Sequence, residues 1–426
     1  MKRNSLNRSK ITLRGLRHLL ALGITTLSLA CQTQAPPLVA PPEPPPPPEV
    51  YVENQAVAEP TNNSFEPKLD ILFVIDDSQS MAPHQQRLAA NINRFVESFS
   101  VEGFIDFHIG VIPIWDSVRY GSMVKELSSS GQRNYDPIGE LKPLKAPEGQ
   151  ENLVQGIVPR YLSRDTFEDR NDFLNVLKET LLIGYRPYCC TKTQIREIEA
   201  AAKKAGTEPK IEYSGPEYEE LFSPVVAALG APERLQGPNQ GFFRPGSQLV
   251  LVFMTDADDA SPTISVDWFH DYLLGLTRDR SGEKLSTYGI LHPTSYPTSK
   301  ACPKDPAKTA AKLEDFLAKT KGRVFNICSQ NYGDELAKMG QEIRKKTLER
   351  FTIYLDRIPE EGTLLVKYGN VLLKEGENPG WTKNSAQKKI IVHGLDLLPH
   401  QPGAKIDVQF TNVDPTRPDR SARIGG

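Results

Sequence analysis

The 426-residue chain has no Cys-x-x-Cys pair, and no two of its seven histidines stand close together, so no zinc-binding spacing is present. It also lacks a Gly-x-x-x-x-Gly-Lys-Ser/Thr phosphate loop and a Gly-x-Ser-x-Gly nucleophile elbow, two firm sequence marks of an enzyme. Long apolar runs are missing too. The run Leu19–Ala30 has twelve residues, against the roughly 20 that a membrane-spanning helix requires. No Lys/Arg cluster with interleaved aromatics occurs, and 53 acidic residues outnumber 51 basic ones, which argues against nucleic acid as a partner.

What is present starts with an asymmetric N-terminus. Residues 1–30 hold six basic residues (Lys2, Arg3, Arg8, Lys10, Arg14, Arg17), no acid, and then the short apolar run, which is the layout of an export signal peptide. Without them 45 basic residues face 53 acidic ones, and the net charge moves from −2 to about −8. The run closes as Leu27-Ser28-Leu29-Ala30-Cys31, which resembles the lipobox of bacterial lipoproteins. Ala30 and Cys31 match that pattern, and Ser28 departs from its usual leucine. The resemblance implies lipidation of Cys31, an anchor rather than a span. Gln32, in place of an aspartate that retains such proteins at the inner membrane, implies an outer-membrane lipoprotein of the cell envelope, with the face left open. An ordinary cleaved signal with an incidental cysteine is the plain alternative.

Residues 32–66 carry nine prolines between Pro36 and Pro48. Such a segment is expected to be an extended tether of about 3.1 Å per residue rather than a ligand for a proline-reading domain. Of the later cysteines, Cys302 and Cys328 flank an expected helix and are the first choice for a disulfide in an oxidising compartment. Cys189 and Cys190 are neighbours that could bridge each other, pair between chains or stay reduced.

From residue 68 the pattern alternates. Apolar strands are expected at Leu69–Ile75, Phe107–Ile114, Leu249–Thr255, Ser286–Leu291 and Arg323–Cys328. Amphipathic helices are expected at Gln85–Phe99, Asp165–Leu182, Glu217–Leu229, Ser265–Leu276, Ala307–Lys319 and Asp334–Thr347. This predicts an α/β fold, a doubly wound, mostly parallel sheet covered on both faces, whose ligands collect at the carboxyl ends of the strands. Residues 116–164 and 183–216 break the alternation as insertions. Beyond Thr347, short strands at Phe351–Leu355, Thr363–Tyr368, Lys388–His393 and Ala404–Phe410 lie between Pro/Gly turns. They predict a small antiparallel β domain over residues 349–411, with a polar tail at 412–426.

The chemistry concentrates where the first strand ends. Asp70-Ile71-Leu72-Phe73-Val74-Ile75 runs into Asp76-x-Ser78-x-Ser80, one carboxylate and two hydroxyls at alternate positions. Hard oxygen donors of this kind suit Mg²⁺, Mn²⁺ or Ca²⁺ rather than zinc or copper. A later strand ends in Thr255-Asp256, and strands adjacent in a doubly wound sheet would bring Asp76 and Asp256 to one crest. The plain alternative is that Asp76, Ser78 and Ser80 cap the next helix. Asp258 and Asp259 read as dipole partners or loop charge more readily than as a second ion site. Asp77 is expected to be solvated, His108 to be a satisfied strand residue, and Trp115-Asp116 to pack near the crest.

Residues 70–81 and Asp256 resemble the metal-ion-dependent adhesion site of von Willebrand factor type A domains. Asp106–Ile112 and Asn239–Arg244 resemble that family's bacterial lipoprotein branch, and the likeness covers residues 67–348. The resemblance implies that Ser78 and Ser80 hold one divalent ion, with Asp76 and Asp256 in support. The family's second-loop threonine has no clean copy here; Ser214 is the best substitute, with Thr191 and Thr193 as rivals. The function it implies is that of a non-enzymatic module, expected to grip an Asp or Glu of a protein partner through the metal. The alternatives are a metal-independent envelope scaffold and, more remotely, a phosphoryl-transfer enzyme. Against the latter, the second aspartate of an Asp-x-Asp site is replaced by Ser78.

Overall fold

Residues alternating between two apolar environments make the central strands of the computed structural model. The structure describes residues 61–100, 105–117, 137–184, 192–207, 216, 218–295, 310–355, 357–385, 388–399, 401 and 404–411. In β2 (Lys68–Ile75), Leu69, Ile71, Phe73 and Ile75 face one buried cluster, and Leu72 and Val74 face another. In β5 (Gln248–Met254) the same period of two divides Val250, Val252 and Met254 from Leu249, Leu251 and Phe253. A strand buried on both faces needs helices on both, and they are there.

After β1 (Thr61–Phe65) and β2 come α1 (Ala82–Ser100), β3 (Asp106–Pro113), β4 (Tyr161–Ser163), α2 (Arg170–Leu181), α3 (Lys192–Ala205), α4 (Phe222–Gly230) and α5 (Pro232–Leu235). The chain continues through β5, α6 (Val266–Thr277), β6 (Leu285–Leu291), α7 (Ala311–Lys319), β7 (Arg323–Asn326) and α8 (Tyr332–Glu349). The first sheet has the order β4-β3-β2-β5-β6-β7, parallel except for the antiparallel edge strand β4. Apolar side chains of α1, α2 and α8 cover one face, and those of α4, α6 and α7 cover the other. The expected parallel α/β core is thus present. Helices α1 and α8 come close at Gly340, where an added Cβ would stand 2.6 Å from the Phe95 carbonyl oxygen.

The chain leaves β2 toward β3 on one side and later returns to build β5, β6 and β7 on the other. The winding reverses between β2 and β5, and such a reversal opens a crevice at the strand carboxyl ends. Ile75 and Met254 are register partners, so Asp76 and Thr255 emerge side by side from the two strands.

The opposite end of this sheet is closed by residues 239–244. Asn239 accepts from the Leu141 amide at 2.9 Å and donates to the carbonyls of Gly139 and Ala228. Arg244 pairs with the fully buried Asp70 at 2.7 Å and with Asp106 at 2.6 Å. Ser247 and the Arg244 amide also donate to Asp70. Burial still pushes the Asp70 carboxyl up, with Arg244 and these hydrogen bonds opposing. His108, as expected, is a satisfied strand residue, its Nδ1 2.9 Å from the Phe242 carbonyl oxygen and its ring against Tyr161.

The remaining strands are β8 (Arg350–Tyr354), β9 (Leu365–Tyr368), β10 (Val371–Glu375), β11 (Gly380–Asn384), β12 (Lys389–His393) and β13 (Ile406–Phe410). They form a second sheet, β1-β13-β9-β10-β11-β12-β8, antiparallel apart from a short parallel β10–β11 pairing. Two features differ from the sequence expectation. A tether running to residue 66 is not what the structure holds: Thr61–Phe65 is a strand paired antiparallel with β13, because the edge of β13 offers free backbone groups to it. The β layer is also no separate core: Val366, Ile390, Val392, Ile406 and Val408 join the apolar cluster beneath α1 and α8. Within the expected insertions, β4 adds the sheet edge and α3 is a helix. Among the described residues no helix is long and apolar enough to cross a membrane. Cys328 is disulfide-bonded, whereas Cys302, Cys189, Cys190 and Cys31 lie outside the described residues.

Candidate metal centre

Asp76 is the pivot of the crest. Its backbone amide donates to the Met254 carbonyl at 2.9 Å, which extends the β2–β5 pairing by one residue beyond the strand. Its Oδ1 accepts from the Ser78 amide at 2.8 Å, closing a tight turn, and its Oδ2 accepts from the Thr255 hydroxyl at 2.9 Å. Gln85, one turn into α1, donates to the Asp76 carbonyl at 2.9 Å and exchanges hydrogen bonds with Gly184. The loop is therefore held from both sides, and the side chains of Ser78 and Ser80 come together with hydroxyl oxygens 3.1 Å apart. Ser78 is buried and Ser80 exposed. This turn also takes Asp77 inside: the residue expected to be solvated is buried.

The structure brings Asp76 and Asp256 together and adds a third acid, Glu219. One carboxylate oxygen from each of the three lies within 4.8 Å of the others. Glu219 is not among the donors expected from the sequence, although it sits in the loop before α4, just past the expected second-loop donor Ser214. Its placement is firm. The next residue, Glu220, exchanges backbone hydrogen bonds with Trp115 at 2.9 and 3.0 Å, and the Asp116 carboxylate accepts from the Tyr218 amide at 3.1 Å. The Glu219 carbonyl itself accepts from the Ala260 amide at 3.0 Å. Trp115 and Asp116 thus act as packing and positioning residues behind the crest. Ser214 and Thr191 lie outside the described residues, as does the side chain of Thr193.

Asp258 and Asp259 are occupied elsewhere. Asp258 accepts from the amides of Lys312 and Leu313 at the start of α7. Asp259 accepts from the Leu221 and Phe222 amides at the start of α4, where Ser261 adds a second cap. Both complement the positive helix ends, though of distant helices rather than the next one along the chain.

Burial raises the Asp76 carboxyl to about 6; the Asp256 charge adds to this, and the bonds from Ser78 and Thr255 oppose it. Beside the acids, His84 at the start of α1 and His292 after β6 meet edge to face, with ring centroids 6.1 Å apart. Burial pushes His84 below the usual histidine range, with the Asp256 charge opposing.

These residues fit a hard divalent cation. Asp256 Oδ1 is buried and has no hydrogen-bond partner. Two ionised carboxylates 4.8 Å apart repel by roughly 3 kcal/mol at an effective dielectric near 20, so three of them call for a counter-charge. Carboxylate and hydroxyl oxygens are the donors that Mg²⁺, Mn²⁺ or Ca²⁺ take.

No family model and no curated protein matches the chain. Solved structures similar to it include proximal thread matrix protein 1 from the mussel byssus, at 12% identity and a TM-score of 0.33 over 69% of this chain and 51% of that one. The same mussel protein with a zinc-occupied MIDAS motif aligns at 11% identity and 0.32, over 69% and 50%. The pilus adhesin SpaC of Lactobacillus rhamnosus GG aligns at 10% identity and 0.31, over 82% of this chain and 40% of that one. The chain spans about half the length of these structures or less. Likenesses this loose do not establish a shared family.

Proposed function

We propose that the chain is a von Willebrand factor type A-like binding module that takes one divalent cation at its strand crest and through it grips a carboxylate of a protein partner. The observation that carries this is the convergence of Asp76, Glu219 and Asp256 within 4.8 Å, beside the paired hydroxyls of Ser78 and Ser80. In this reading those five side chains hold Mg²⁺, or Mn²⁺ or Ca²⁺ in its place. The ion supplies a hard positive centre that an incoming Asp or Glu can complete. Thr255 and Gln85 keep the Asp76 loop in its bound shape, so little ordering is left to the moment of binding.

The export signal, Cys31 and the proline-rich segment motivate the rest of the proposal: a lipid-anchored envelope protein that presents this crest away from the outer membrane, without catalysis of its own. Isothermal titration of the protein with Mg²⁺ and Mn²⁺, set beside Asp76→Ala, tests the site. Heat in the wild type that disappears in the variant supports it; no heat from either ion rejects it. Capture of a partner from envelope extract that survives chelation would shift the reading to a metal-independent scaffold.

A further inference from the structure

In an acidic chain, one groove is basic. It measures about 1430 Å³ and runs between the loop after α6 and the β8–β12 strands of the second sheet, far along the sheet from the crest. Nine Lys or Arg residues line it against four Asp or Glu.

Three of the cations converge without a direct carboxylate partner. Arg278 ends α6 in the left-handed region at φ 52, and its Nη2 is buried with no hydrogen-bond partner. Lys284 Nζ stands 5.5 Å from the ring centroid of Tyr354, and Lys389 is the cross-strand partner of Tyr354 in the β12–β8 pairing. Among the described residues none of the three cations is in an ion pair with a carboxylate. The nearest acid on the same loop, Asp279, is committed to the backbone. Its Oδ1 accepts from the Ser281 amide and hydroxyl, and its Oδ2 accepts from the Lys284 amide at 2.7 Å. Burial holds the Lys284 ammonium below the usual lysine range; Asp279 opposes this, and Lys389 and Arg278 add to it. Crowding half-buried cations this way costs stability unless an anion joins them.

We propose that this groove binds a compact oxyanion of two or more charges, a phosphate ester or its equivalent, between Arg278, Lys284 and Lys389. The guanidinium offers the planar fork that oxyanions accept, and the two ammonium groups close on it as point charges from the loop and from the second sheet. Asp279, Glu283, Glu349 and Asp396 lie along the same walls and interrupt the positive charge. A long polyanion has no continuous track here, and a compact anion does. The same chemistry is offered by a free phosphorylated solute and by a lipid phosphate.

The test uses the full-length protein and pyrophosphate, by titration calorimetry and thermal unfolding at two salt concentrations. Binding that weakens with salt is expected, falling about tenfold in the Lys284→Gln, Lys389→Gln double variant. That variant should also melt higher than wild type without pyrophosphate, since like charges have been removed. Lys389→Gln alone, on the second sheet, should show part of both effects if the double variant folds poorly. Asp76→Ala should bind pyrophosphate as wild type does, which separates this groove from the crest. Vesicles of phosphatidylcholine mixed with phosphatidylglycerol that are captured, then released by pyrophosphate, would assign the lipid source; pyrophosphate binding without capture assigns the solute. No pyrophosphate binding, or binding unchanged in the double variant, overturns the proposal.

Discussion

The Thr255 hydroxyl donates to Asp76 Oδ2 at 2.9 Å, across the seam where the sheet reverses its winding. Because the Ser78 amide already engages Oδ1, both oxygens of the buried carboxylate are oriented before any cation arrives. Replacing Thr255 by Val keeps the shape and removes the donor. Mg²⁺ affinity should fall about 10- to 100-fold, the range typical of partners that orient a metal ligand. Titration calorimetry on Thr255→Val checks this, and an unchanged affinity would remove Thr255 from the site.

Glu219 is buried, and its backbone is held between the Trp115–Glu220 pair and the Ala260 amide. Glu219→Gln should weaken divalent-ion binding by at least about tenfold while leaving the melting temperature of the metal-free protein the same or higher. A larger loss from Ser214→Ala than from Glu219→Gln would return the second-loop role to the hydroxyl read from the sequence.

Asp76 also sets a pH dependence. Its carboxyl titrates at about 6 in the fold and at 3.8 when unperturbed. Between those values the folded chain keeps a proton that the unfolded chain has lost. The resulting stabilisation is complete below the lower value and is lost as pH rises through the upper one. In chelator, the protein should therefore gain stability from this group between about pH 7.5 and pH 5. Saturating Mg²⁺ should reverse the trend, since protons and metal compete for the same oxygens. Thermal unfolding of wild type and Asp76→Asn across that range reads the effect; an equal slope in both proteins would assign it to other groups.

At the far end of the sheet, Arg244→Met would leave Asp70 buried without its cation. A buried pair broken on one side costs about 3–5 kcal/mol, a large share of a domain's stability. Urea unfolding should show the loss while Mg²⁺ affinity, measured on the folded fraction, stays near wild type.

The elements easiest to read in the sequence are those with a strict apolar period. β2, β3, β5 and β6 lie within a residue or so of the expected strands because burial on both faces favours runs that are mostly apolar. The crest pair Asp76 and Asp256 comes from the same logic, since strand ends that are neighbours in the sheet put their next residues side by side. Glu219 is not legible, because its position depends on long-range contacts, the bridge of its neighbour Glu220 to Trp115 and the Ala260 amide, with no periodic signal around it. β1, β10 and β11 are also hidden: short strands with mixed polar residues are specified by their partners and not by their own pattern.

The pairing of β1 with β13 has a mechanical side. The five residues Thr61–Phe65 lie antiparallel to Ile406–Phe410, so a pull on the chain ahead of Thr61 is taken up as shear along that ladder. Its backbone hydrogen bonds share the load together, and β2 with its crest is reached only after they fail. Under the proposed anchored reading, the crest loops would stay at rest while the strain is borne in the second sheet.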